Sequence, residues 1–230
     1  MIKSAYSRLR GYFRRLRDDA SAVAFVEFAY ATPVVLVLGA YGIELANFAV
    51  TNMRVSQAAL ALADNASRAG VGNPLSLIQV QEREINEVLL AAGTQTSELN
   101  LLTNGRVVLS SLQVNDSDGD GDADANDTNQ IIKWQRCKGL KNYNSTYGVQ
   151  GDIVTAMGPP GQQISSPPGT AVMFVEVTYD YQPVIGAAYI GSRQIHYTAA
   201  FTVRDQRDLT GLYNSAPAAV ASTCDRYTTT

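Results

Sequence analysis

The segment NDSDGDGDADANDTN, residues 115–129, places a carboxylate at almost every second position. With Asp116 as position 1, Asp118, Asp120, Asp122, Asp124 and Asp127 fall at positions 3, 5, 7, 9 and 12, and Gly121 falls at 6. This is the spacing of a twelve-residue calcium loop. A hard cation takes six or more oxygens, alternate side chains of a tight loop converge on one point, and glycine permits the sharp turn. Position 12 is Asp rather than Glu, which shortens the bidentate reach, and the flanks read as strands rather than helices. Ca2+ is therefore the one cofactor that the sequence suggests, and an acidic, solvated loop is the other reading of the same residues. The loop resembles those of thrombospondin type 3 repeats and dockerins more than a helix-loop-helix hand.

Other chemistry is sparse. Cys137 and Cys224 are the only cysteines, and in an oxidising compartment two cysteines usually pair. Bridging them closes a loop of nearly ninety residues, for which chain entropy gives about 4–5 kcal/mol; two unrelated buried thiols are the alternative. The single histidine, His196, falls in a strand-like run, where a partly buried structural role is commoner than that of a base. The sequence contains no HExxH, GxSxG, CxxC or phosphate loop, so it has none of the common metalloprotease, hydrolase, redox or nucleotide signatures. An enzyme is not expected.

The remaining distinctive carboxylate is Glu27. From Ala20 to Ile43 it is the only ionisable side chain apart from two tyrosines, and the run is long enough to cross a hydrocarbon core. A carboxylate inside a span is costly and a functional candidate by default, although one so near the end can also snorkel to the interface. Pro33 lies within the same run, where it removes a helix hydrogen bond and permits a bend.

The elements that would position these residues follow from charge and periodicity. Residues 1–22 carry Lys3, Arg8, Arg10, Arg14, Arg15 and Arg17 against Asp18 and Asp19, a local +4 that leaves −7 on the remainder of a chain of net charge −3. The positive-inside rule then places residues 1–22 in the cytoplasm as a basic leader, 23–45 as a transmembrane segment and 46–230 outside. Ile2, Tyr6, Leu9, Phe13 and Leu16 line one helical face, suited to an anionic leaflet; an unstructured stop-transfer flank reads equally well. The acidic outer domain argues against nucleic-acid binding.

The helical pattern continues past the membrane to Gly70, Gly72 and Pro74. About fifty residues at 1.5 Å each make about 75 Å, so the outer half must pack on something other than lipid. LSLIQVQEREINEVLLAAG predicts a second, amphipathic helix ending at Gly93. GRVVLSSLQV, NQIIKWQRC, TAVMFVEVTYDYQP and RQIHYTAAFTVRD predict four strands. Residues 148–169 read as an irregular loop, and the tail after Leu212 as a polar segment held by Cys224 with frayed last residues.

AVAFVEFAYATPVVLVL resembles the N-terminal signature of the TadE-like family, minor pseudopilins of the tight-adherence (Tad/Flp-type) pilus within the type IV filament group. The resemblance implies an α+β, pilin-like fold, with the outer half of the long helix and the second helix on an antiparallel sheet of about four strands. It also implies cleavage by prepilin peptidase on the cytoplasmic side of the span, with a glutamate fifth in the mature chain. Counting back from Glu27 puts the cut between Ala22 and Val23. The family usually has glycine before the cut where this sequence has Ala22; an ordinary signal peptidase acting after a small-residue pair such as Ala40 and Gly42 would instead release a soluble domain. MFVEVTYDYQPV, AAFTVRDQRDLTGLY and IKWQRCKG extend the similarity towards the C-terminus, and the aspartate loop is an addition to the family pattern.

In such a protein Glu27 lies one helical turn from the new α-ammonium of Val23, or pairs with that of a neighbouring subunit, neutralising charges that apolar packing would penalise. Gly39, Gly42 and Ala46 offer small faces for helix contact. The implied partners are the prepilin peptidase, other pilins and pseudopilins, the Tad assembly machinery and the bacterial inner membrane, with the C-terminal domain periplasmic. The competing reading is a membrane-anchored extracytoplasmic calcium-dependent binding module that never enters a filament.

Overall fold

The fold is described from a computed structural model, which covers Arg14 and residues 20–70, 77–116, 127 and 129–229, with the backbone alone at residues 20–22. Helix α1 is a single 49-residue element, Ala20–Arg68, with Pro33 inside it. Its alanine-rich sequence has no other proline to interrupt the ladder, and the Thr32 hydroxyl donates to Phe28 O at 2.7 Å just before Pro33. The helix stops where Gly70 takes a φ of 140°. A Cβ at that position would lie 2.3 Å from Ile78 Cγ2, so glycine meets both a torsional and a steric demand.

Helix α2, Glu82–Gln95, begins with the Glu84 carboxylate accepting the Gln81 N–H at 3.0 Å, which satisfies one orphan donor of the first turn. It starts later than the sequence predicts, because Ile78 and Gln81 bridge to Arg207 and Tyr213 instead of entering the helix. Gly93 does not end it. A Cβ there would come within 2.5 Å of Leu102 Cδ1, so this glycine allows the following segment to pack close. A 3-10 turn at Ser97–Leu99 and a short helix α3, Leu101–Asn104, lead into the sheet.

The sheet is wholly antiparallel among the described residues: β1 Gly105–Val114, β2 Gln130–Lys138, β3 Ile153–Val154, β4 Ala171–Asp180 and β5 Gln194–Thr202, in the order β3-β2-β1-β4-β5. Four strands match the sequence expectation. The fifth, β3, is a two-residue edge inside what reads as an irregular loop, too short to leave an alternating pattern. The fold class is thus α+β with a long N-terminal apolar helix and a five-stranded rather than four-stranded sheet.

Both faces of the sheet are covered, which is why β1 is buried along its whole length. Leu112, Ile132, Met157, Val172 and Phe174 form a core on one face, with Tyr147, Val154 and Ala200 at its margin. On the other face the Tyr179 hydroxyl donates to Leu99 O at 3.0 Å, and Arg136 meets Glu82 of α2. Val55, Ala58, Ala59, Leu62, Ala63 and Ala66 form the buried stripe of α1 at spacings of three and four. Ile85, Leu89 and Ala92 do the same for α2.

Two compact units result. One comprises Phe48–Gln182 and Ser192–Thr230, and so contains the outer part of α1, α2 and the sheet. The other comprises, among the described residues, α1 up to Asn47 together with Pro183–Gly191, which includes the four-residue helix α4, Ala187–Ile190.

The C-terminal tail departs from the sequence expectation. Cys137 and Cys224 are bonded, with their Cα atoms 4.8 Å apart, but that bond is not the tail's sole attachment. The Cys137 N–H donates to Ser222 O and the Gly139 N–H to Thr228 O, while Asn86 binds Val220 O and the Ser222 hydroxyl. Arg106, fully buried on β1, donates to Gly139 O, Cys224 O and Arg226 O and stacks its guanidinium 4.0 Å over Tyr227. A buried cation holds polar backbone that would otherwise have to face water; burial lowers its pKa, opposed by Tyr227 and Asp225.

Candidate functional site

The inner part of α1 is apolar on every side. Phe25, Phe28, Tyr30, Val34, Val35, Leu36, Leu38, Tyr41 and Ile43 are all exposed. Over an 18-residue window the mean hydropathy reaches 1.9, and none of that window is buried. A helix hydrophobic all round needs a nonaqueous partner, and this one is long and apolar enough to cross a membrane.

Val23 and Glu27 lie one turn apart on it, both exposed, so their side chains share a face. Pro33 is exposed and leaves the Ala29 carbonyl without its helical donor. Ala22 lies within α1, and its side chain is outside the described residues.

A second carboxylate on α1, absent from the sequence-based site, is Glu44. It is fully buried, and its Oε2 accepts the Ile185 N–H at 2.7 Å. A lone acid at the margin of an apolar run is the signal that marks it.

The aspartate loop joins β1 to β2. Its base is closed by the Asn115 N–H donating to Asn129 O at 2.9 Å, directly after the pair Val114 and Gln130. Positions 1 and 12 are described: Asp116, two residues beyond β1, and Asp127, which is buried. Asp118, Asp120, Asp122 and Asp124 lie outside the described residues, as do the oxygens they would contribute. Among the described residues no group of His, Cys, Asp and Glu side chains is placed to hold a metal.

The histidine belongs to a polar cluster that the sequence did not reveal. Glu176 on β4 is fully buried and accepts from the Tyr143 hydroxyl at 3.0 Å, the Ser145 hydroxyl and the Thr146 N–H. His196 Nε2 lies 3.1 Å from the Tyr143 oxygen and 3.7 Å from Glu176 Oε2. The serine donates to the carboxylate and not to the imidazole, so this is not a nucleophile and base pair. It ties the segment after β2 to the sheet. Burial and then the Glu176 charge raise the pKa of Tyr143, keeping its hydroxyl a donor.

Arg207 was legible only as a charge in RDQRDLTG. It is buried, and it donates to Ala66 O at 3.4 Å and Ser67 O at 3.0 Å, and also to Ala69 O. These carbonyls lie in and just beyond the last turn of α1, where the helix no longer supplies i+4 donors; Ala66 O also accepts the Ala69 N–H at 3.3 Å. Comparison with family models, with curated proteins and with solved structures finds no match to this chain.

Proposed function

We propose that this chain is a minor pseudopilin of a Tad-type adhesive pilus, of the TadE-like kind. It is processed by prepilin peptidase between Ala22 and Val23 and acts structurally in filament initiation or assembly. The observation that carries this reading is the division of one continuous helix. Its inner half exposes apolar side chains all round with Glu27 among them, and its outer half contributes a buried stripe to an α+β domain. Such a helix suits a subunit that is held first in lipid and then among other apolar helices. The disulfide supports placing the domain on the oxidising, periplasmic side.

In the filament Glu27 neutralises the α-ammonium exposed at Val23, in its own chain or in a neighbour. Pro33 lets the span bend on leaving lipid. Intact-mass measurement with N-terminal sequencing of the protein from its native membrane tests the reading, with a mature chain starting at Val23 expected. An uncut start at Met1, or a soluble product starting beyond Gly42, overturns it.

The closed base of the aspartate loop favours a second reading, a membrane-anchored extracytoplasmic calcium-dependent binding module. That module would keep its uncut N-terminus.

A further inference from the structure

Pro183–Gly191 reads PVIGAAYIG and carries no charge; the nearest charged residues are Asp180 and Arg193. Its Val184 is 68% exposed and Ile185 41%, an apolar tip with no cover in its own unit. Gly186 and Gly191 take φ values of 146° and 71°, which bracket α4 with two sharp turns and hold the tip as a compact loop.

What locates the loop is Glu44. Its buried carboxylate accepts the Ile185 N–H, so the tip is held level with the turn of α1 carrying Tyr41, Ile43 and Leu45, themselves exposed and apolar. From Val23 to Ile43 α1 rises about 30 Å, the thickness of a hydrocarbon core. Glu44 and the loop tip therefore coincide with the level at which a span beginning near Val23 reaches the outer headgroups. Tyr189 in α4 adds an amphipathic ring of the kind enriched at that level.

We propose that Pro183–Gly191 is a second lipid-contacting element, inserting Val184 and Ile185 at the headgroup–acyl boundary on the domain's side of the bilayer. Glu44 pins it to the anchor helix. This rests on reading α1 as a membrane span. The loop makes the anchor a two-point attachment, and lipid relieves the apolar exposure of the tip while the Ile185 N–H gives the Glu44 carboxylate a donor.

The test uses the full chain in phosphatidylcholine and phosphatidylglycerol vesicles, with the Cys137–Cys224 bond intact. A polarity-sensitive fluorophore is attached at V184C or, separately, at V35C in the span. Lipids carrying nitroxides at the headgroup or deep in the acyl chain serve as quenchers. The Val184 site is expected to be quenched more by the headgroup nitroxide, and the Val35 site more by the deep one. Adding Glu44→Ala to V184C is expected to lower the shallow quenching by about twofold or more, because the acceptor of the Ile185 N–H is gone. Quenching at Val35 with none at Val184 overturns the loop proposal while leaving the span in place. A Val184 signal that responds to protein concentration and not to lipid nitroxides assigns the tip to a second copy and also overturns it. No quenching at either site overturns the span and the loop together.

Discussion

Arg136 on β2 and Glu82 at the start of α2 form a buried fork: Nε lies 3.0 and 2.9 Å from the two carboxylate oxygens, and a terminal nitrogen closes the pair. Only 10% and 6% of the two side chains remain exposed, so neither charge has water to fall back on. The Arg136 donors are further used on Gln135 O and Gln150 Oε1. Glu82→Ala is expected to cost about 3–5 kcal/mol, most of it from the stranded guanidinium, whereas Glu82→Leu with Arg136→Met should recover much of that loss. Urea unfolding in detergent, followed by the single, buried Trp134, measures both.

Arg207 caps α1 from the far end of the sequence. Arg207→Leu removes the guanidinium from three carbonyl groups and should lower stability by about 2–4 kcal/mol, since hydrogen bonds to charged groups are worth about 1.5–3 kcal/mol. Hydrogen exchange offers a local readout: the last turn of α1 should lose protection before the sheet does.

Asp208 supplies a pH dependence. The Tyr213 hydroxyl, then the Thr210 hydroxyl and N–H, hold its carboxylate below the ordinary aspartate range. A depressed pKa stabilises the folded state above the unfolded value, about 3.9, and that contribution disappears as pH falls through the folded value. Asp208→Asn is expected to be less stable than the parent at pH 7, with the gap closing as pH drops below about 4. Parallel unfolding curves from pH 7 to pH 3 would show a constant gap if these hydrogen bonds were irrelevant.

Glu27→Ala is expected to leave membrane extraction behaviour unchanged and to reduce recovery of the protein with assembled filaments. Fractionation of sheared cells separates the two effects. Normal assembly by the variant would remove the charge-pairing role.

For the aspartate loop, millimolar Ca2+ is expected to raise the melting temperature of the parent chain and to leave Asp118→Ala with Asp120→Ala unchanged. A parent with no calcium response carries a solvated loop and nothing more.

How much of this was legible depends on whether a feature is local. Helix α1 was read almost to the residue because apolar composition, alanine and the terminal Gly70 all act over short range. Four strands showed through β-branched and aromatic runs. Gly93 misled, since its reason is Leu102 in the next helix and not its own backbone. Arg106, Arg136, Arg207 and Glu176 were invisible as sites for the same reason: their partners are 33 to 141 positions away for the carbonyls of Arg106 and Arg207, 54 for Glu82, and 30 to 33 for the donors to Glu176. Glu44 was missed because it stood one residue outside the run that Glu27 defined, and only the fold brings Ile185 to it.

The closure of Asn115 on Asn129 also sets what a change of loop length costs. The Asn115 N–H to Asn129 O bond holds the two ends of the segment together directly beyond the Val114 and Gln130 pair, so the β1–β2 register is set before the segment begins. Doubling such a loop costs only about 0.6 kcal/mol in closure entropy. The aspartate segment is thus a length-tolerant connection, in which added residues cost little as long as its two ends stay paired.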